Sequence, residues 1–441
     1  MCVRTGSTWS KNAPFVVCPS EHRIYQCFTP LVANRARPIH LSELQEARER
    51  NNRIFTSALR RLLKVLSFWD RTHGGLTLEV AALSPSDVEH HTYEPELAHD
   101  YPFQLEEDLE QATNFREYHT MKSTEPRAFS NRHIRAALKR LFGTPLEMTP
   151  LPQKTRRKPM STLPKTPIVK GFLIRRSFFR GFALSTLAKL FNESLVSLEW
   201  FRFERWASLT YDQEVSFYTD LWAFLIPALP QTVKMLSFSQ WSRWKPPWIY
   251  KPLDEIDLRK SLSRALAPLV LQLTEFSPPD LMNIPEFLDQ LGQMSDRSGE
   301  AKLELLSIKG GRFGHSCVTR ILVLAAAAAK ALPRLRILEV WHESRGYEYL
   351  FRYTQSNDQA TITWMNGGEE YPVAPEVLEA WEGVASAYST RPLVVDRRRF
   401  PGNQMMEPRW YNGWVYPLLE LRRLVFDPIT LEREVQLMRR A

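Results

Sequence analysis

The chain has 441 residues, 44% of them hydrophobic and 24% charged, which excludes a wholly disordered or fibrous protein and implies a chain that buries a sizeable core. Its four cysteines, Cys2, Cys18, Cys27 and Cys317, are too few and scattered for a disulfide framework and point to a reducing compartment, cytoplasm or nucleus. The apolar run 321–329 is about half of the roughly 20 residues a membrane span needs, so neither secretion nor insertion is expected. The formal net charge of +9 invites polyanions at long range, but acidic residues crowd 79–125 and basic ones 127–180, and such neighbours neutralise each other.

In chain order, residues 1–40 carry Pro14, Pro19, Pro30 and Pro38 and read as a loop-like tail. Residues 41–441 read as one domain. Ile54, Phe55, Ala58, Leu62, Leu63, Leu66 and Trp69 recur at helical spacing, so 41–69 is a long amphipathic helix or a pair. Gly74-Gly75 ends it, and Leu76-Thr77-Leu78-Glu79-Val80 alternates as a strand. Polar and proline-rich composition marks about 84–130 and 143–167 as flexible insertions, with a short amphipathic helix at 132–142 between them.

From Ile168 onward a unit repeats: a helix, then a strand spelled Leu-x-x-Leu-x-apolar. The copies are Leu195/Leu198/Trp200, Val233/Leu236/Phe238, Leu303/Leu306/Ile308, Leu335/Leu338/Val340 and Leu421/Leu424/Phe426, with a weaker one at Val270/Leu273. Leu198, Leu236, Leu273, Leu306 and Leu338 lie 38, 37, 33 and 32 residues apart, the near-constant period of a repeat architecture. Thr210 with Gln213 and Asn283 with Pro285 and Glu286 mark helix starts, and Ser316 is read as the cap of a helix over 318–332. Tyr347, Tyr349, Phe351 and Tyr353, a turn at Ser356-Asn357-Asp358 and a second alternating run over 360–364 spell a β-hairpin. A helix over 374–388 and a basic loop at Arg397, Arg398 and Arg399 follow. The expected fold is therefore α/β: a leucine-rich-repeat-like solenoid with a mainly parallel sheet backed by helices, plus the hairpin. An ordinary α/β domain with evenly spaced strands is the alternative.

These stretches resemble a fungal family, F-box-type proteins with a C-terminal leucine-rich-repeat-like domain of unknown function. The resemblance rests on Asn51-Asn52-Arg53-Ile54, Phe68-Trp69, Gly75 to Glu79, Ser84-Pro85-Ser86-Asp87, Phe172 to Arg176, Leu335 to Trp341, Phe351-Arg352-Tyr353, Ala360 to Trp364 and Val377 to Trp381. It implies a substrate receptor that couples a bound protein to a ubiquitin-ligase adaptor through an N-terminal F-box. Residues 1–40 depart from that pattern, which makes the F-box absent or degenerate.

No nucleophile elbow, P-loop or dinucleotide fingerprint occurs, so no enzyme and no cofactor is expected. Gly310-Gly311-Arg312-Phe313-Gly314 reads as a strand-to-helix turn needing positive φ rather than a phosphate loop. Cys18, His22 and Cys27 have metal-ligand spacing but no fourth partner, and His90-His91 reads as solvated. In each Leu-x-apolar strand the intervening residues would face away from the core. Glu199, Phe201, Ser237, Ser239, Thr274, Ser307, Lys309, Glu339, Trp341 and Asp427 are accordingly expected to line an open face that binds a protein partner. Trp206, Trp241, Trp244, Trp248 and Trp341 would anchor that partner or pack as core. The alternative function is a basic surface for nucleic acid or another polyanion, formed by 154–158 and Arg397–Arg399.

Overall fold

A computed structural model describes residues 15–17, 24–30, 45–69, 75–83, 142–149, 162–176, 180–208, 210–241, 256–294, 299–311, 315–343, 348–356, 358–366, 373–400, 415–428 and 430–431. All of the expected helix at 132–142 except Phe142, Cys18, His22, His90-His91, Trp244, Trp248, the 154–158 cluster and all of 84–130 lie outside them. The chain divides into two compact units, the first comprising residues 1–232 with 241–251 and the second 233–240 with 252–441.

In the first unit, β1 (Phe15–Val17), β2 (Ile24–Pro30), β3 (Leu76–Leu83), β4 (Val169–Ile174) and β5 (Trp200–Trp206) lie side by side in chain order. β1 is antiparallel to β2 and the rest are parallel. The tail 1–40 thus contains two strands where loop was expected: the β-branched and aromatic run Ile24-Tyr25-Gln26-Cys27-Phe28-Thr29 outweighs its flanking prolines. The long helix α1 (Gln45–Leu66) buries Phe55, Leu59, Leu62, Leu63 and Leu66. α2 (Leu184–Glu193) and α3 (Tyr211–Asp220) follow, and α3 continues into one π-helical turn, Leu221–Leu225. Parts of the expected insertion 143–167 belong to this core: Leu146, Leu163 and Thr166 are buried, and Leu146 bridges Phe182.

In the second unit, β6 (Met235–Trp241), β7 (Glu275–Ser277), β8 (Leu305–Lys309) and β9 (Ile337–His342) are parallel neighbours. The hairpin β10 (Tyr349–Ser356) and β11 (Gln359–Asn366) extends the sheet antiparallel, as the alternating aromatics predicted, and β12 (Val394–Arg399) adds parallel to β11 as its last strand. Arg397–Arg399 is therefore strand, not loop, because Val394-Val395 favours extended backbone beside β11. Helices α4 (Ile256–Leu266), α5 (Ile284–Gly292), α6 (His315–Lys330) and α7 (Pro375–Tyr388) pack in sequence against one another. Leu236, Phe276, Leu306, Ile308, Leu338, Val340, Phe351 and Tyr353 point toward them and are buried. Trp381 of α7 rests on the rings of Phe351 and Tyr353 at 5.0 and 4.8 Å. The fold class is α/β with a mostly parallel sheet.

Three local expectations change. The stretch written Leu421-x-x-Leu424-x-Phe426 is a short helix, α8 (Arg422–Val425), because Leu-x-x-Leu spacing fits a helical stripe as well as a strand entry. Ser316 is not the cap of α6, which already includes His315. Gly310 lacks positive φ; its missing Cβ instead makes room for the Tyr349 hydroxyl, which would lie 2.1 Å from such an atom. No described helix is long and apolar enough to cross a membrane.

Candidate interaction surface

The expected contact face is mostly closed. Phe201, Ser237, Ser239, Ser307, Glu339, Trp341 and Asp427 are all buried, which corrects their expected exposure. Only Glu199, Thr274 and Lys309, at strand entries or ends, stay partly exposed, and each is engaged: Glu199 with Lys170 at 2.9 Å, Lys309 with Asp280 at 3.0 Å, and Thr274 through its hydroxyl to the Lys234 carbonyl at 3.2 Å. Two causes act.

In β5 the apolar alternation is displaced by one residue, so Phe201, not Trp200, turns toward α2, and Phe203 stacks on Phe217 of α3 at 5.9 Å. Phe201 stacks on Phe172 at 5.6 Å and meets Phe191 edge-on at 5.0 Å. A period-2 element reverses its faces whenever one residue is added before it.

In the second unit the face away from the helices is covered by the chain's own residues 415–428. A polar row crosses that face in register, pairing Ser307 with Glu339, Glu339 with Arg352, Arg352 with Thr363 and Thr363 with Asp396. At its centre Glu339 is wholly buried and accepts from Arg352 Nε at 2.7 Å and from the backbone N–H groups of Glu420 at 2.9 Å and Leu421 at 3.1 Å. Arg352 also donates to the Leu418 carbonyl. Burial pushes the Glu339 carboxyl above the usual carboxylate range, against the pull of Arg352 and the two amides. On either side of this pair, Trp341 donates its indole N–H to Ser307 Oγ at 3.0 Å and meets Tyr416 edge-on at 5.7 Å. Tyr416 donates to Glu343, and the Ser237 hydroxyl donates to the Val425 carbonyl at 3.3 Å.

Buried ion pairs recur in the first unit. Arg175 Nε meets Glu79 Oε1 at 2.9 Å with both side chains buried. Arg205 meets Glu214 at 2.8 Å and lies 3.6 Å over the Phe217 ring, and the Ser208 N–H also donates to Glu214 at 2.8 Å. Burial raises the Glu214 carboxyl, but Arg205 and these hydrogen bonds outweigh it and hold the group below its ordinary range. Sequence reasoning missed these pairs because Glu79, Glu339 and Arg352 sit at alternating strand positions that usually face water. The available signal was a carboxylate at the outward position of an otherwise apolar strand.

Of the expected tryptophan anchors, Trp206 and Trp341 do not lie on a surface. Trp206 ends β5, is buried and donates to the Arg176 carbonyl at 2.8 Å, and Trp341 lies inside β9. Near the Gly310 turn, the Tyr349 hydroxyl is buried without a hydrogen-bond partner among the described residues, and burial pushes its pKa up. The His342 ring faces the Gly310 carbonyl at 2.9 Å. No group of His, Cys, Asp and Glu among the described residues is arranged to hold a metal ion.

Among the described residues of the second unit, the large hydrophobic side chains that remain exposed lie on an edge. Val394 and Val395 are 45% and 38% exposed, and Arg397, Arg398 and Arg399 share the same accessible strand. Asp396 takes Arg398 at 2.6 Å. Fold and surface together define an α/β sheet protein with buried ion pairs at Glu79–Arg175, Arg205–Glu214 and Glu339–Arg352 and, in the second unit, an accessible basic edge strand. A family of unknown function, DUF6546, matches residues 228–427, a span that runs from just before β6 to the end of the covering segment. No curated protein and no solved structure matches the chain.

Proposed function

We propose that this chain is a non-enzymatic protein-interaction scaffold, a leucine-rich-repeat-like solenoid in which contact is made along the β12 edge rather than on the sheet face. The observation that carries this reading is the contrast between a face buried under residues 415–428 and an edge strand bearing two exposed valines and three arginines. Repeat-built sheets serve as contact scaffolds, and a structure that commits its buried carboxylates to ion pairs spends them on architecture. The resemblance to fungal F-box-type proteins supports the narrower form, a substrate receptor of a ubiquitin ligase.

The test is a photo-crosslinking residue at position 395 in the full chain, followed by affinity purification. Specific crosslinked proteins, lost when the residue is moved to a buried site, support the scaffold. A ligase adaptor among the copurified proteins supports the receptor form, and its absence removes that form alone. Failure of any protein to crosslink above control defeats the scaffold reading. The adjacent Arg397, Arg398 and Arg399 favour a second reading, binding to nucleic acid or another polyanion, whose signature is a steep loss of affinity with salt.

A further inference from the structure

We infer that the outer edge of β12 accepts an extended, acidic protein segment as an additional strand; the inference rests on the scaffold reading above and names its partner class. β12 pairs in parallel with β11 from Thr361↔Val394 to Asn366↔Arg399 without a register shift. The Phe400 N–H donates to the Asn366 carbonyl at 3.4 Å, so the two-residue alternation of a parallel ladder directs Phe400, Arg398, Asp396 and Val394 toward β11. The main-chain N–H and C=O of Val395 and Arg397 therefore point away from the sheet. No described strand lies beyond them.

Proteins usually blunt such an edge with a proline, a bulge, a very short strand or charged side chains; of these β12 carries only the charges, which bar a like-charged strand and admit an acidic one. β12 has six residues, no proline and regular pairing. Its side chains select the visitor. Arg398 is held by Asp396 at 2.6 and 2.7 Å, and Arg391 by Asp358 at 3.0 Å, whereas Arg397 forms no ion pair among the described residues and supplies the charge. Cross-strand pairs of opposite charge stabilise a sheet, as do β-branched pairs, which calls for a segment alternating carboxylates with β-branched residues. A nucleic acid fits less well, because Val394 and Val395 offer a phosphate backbone nothing and a sugar–phosphate chain cannot continue the main-chain hydrogen-bond ladder.

The test uses the full chain and a fluorescein-labelled nine-residue peptide alternating Val and Glu, titrated to about 1 mM and followed by anisotropy. Two comparison ligands are the same peptide with a central proline and a single-stranded oligonucleotide. Two protein variants are Arg397→Glu and Arg397→Pro, with Arg397→Gln as their charge-neutral reference because proline removes the side-chain charge together with the outward-facing N–H; circular dichroism checks that all fold. The expected result is saturable binding of the alternating peptide, weakened at least tenfold by proline in either partner and by charge reversal. The inference is overturned if the peptide fails to bind, if the proline-bearing peptide binds equally well, if neither variant weakens binding, or if the oligonucleotide binds more tightly. Protein partners crosslinked through position 395 and retained by the Arg397→Pro chain would sink strand addition while leaving the scaffold standing.

Discussion

Replacing Glu339 tests whether residues 415–428 are held to the sheet by a buried charge pair. Glu339→Ala removes the acceptor of Arg352 and of two backbone N–H groups, leaving a guanidinium whose side chain is 13% exposed without its main counter-charge. Breaking a buried pair by deleting one partner costs about 3–5 kcal/mol. The double variant Glu339→Leu with Arg352→Met strands no charge but still orphans the Glu420 and Leu421 N–H groups, at about 1–3 kcal/mol for a buried donor. The double variant should therefore cost about 2–3 kcal/mol less than the sum of its two single substitutions. Urea unfolding followed by both circular dichroism and tryptophan fluorescence measures this, provided the two transitions coincide. A Glu339→Ala loss below about 1 kcal/mol, or strict additivity, would refute the reasoning.

Gly310→Ala should destabilise by about 1–3 kcal/mol through overpacking, since its Cβ would meet the Tyr349 hydroxyl. Tyr349→Phe removes an unpartnered buried hydroxyl, so it should be neutral or stabilising alone and partly rescue Gly310→Ala; thermal melts of the three variants check both statements. The two buried glutamates should respond oppositely to acid. Glu214 has a lowered pKa, so the stability it contributes above about pH 4.5 is lost as pH falls, and the penalty of Glu214→Gln should shrink in acid. Glu339 has a raised pKa, so its contribution is fully present below the ordinary glutamate value of 4.5 and is lost as pH rises from there through the raised value, and the penalty of Glu339→Gln should grow in acid. Parallel pH dependence of the two variants in urea melts would contradict the assignment.

The core positions at the strand entries from Leu195 to Leu338 were legible because they are core residues whatever follows them: Leu195, Leu198, Val233, Leu236, Val270, Leu273, Leu303, Leu306, Leu335 and Leu338 are all buried. Local start signals were equally readable. Thr210 Oγ1 accepts from the Gln213 N–H at 3.3 Å, and Asn283 Oδ1 from the Glu286 N–H at 3.0 Å. The hairpin was legible from alternation alone. The covering of the face was not, since the Ser237 contact with Val425 spans 188 residues and no local pattern reports so distant a partner. Nor was the direction of Phe201, because one residue inserted between Leu198 and the β5 alternation exchanges the faces without changing composition. β12 was hidden by its own charge: three consecutive arginines read as loop, although two valines before them already favoured a strand.

Hydrogen–deuterium exchange of the full chain measures the central contrast between a closed face and an open edge. The amides of Glu420 and Leu421, held by the buried Glu339 carboxylate, should exchange among the slowest of residues 415–428, while those of Val395 and Arg397 exchange fast beside protected neighbours in β11. Slow exchange at Val395 and Arg397 with fast exchange at Glu420 and Leu421 would contradict the account, because it would mean that the edge is covered and the face is free.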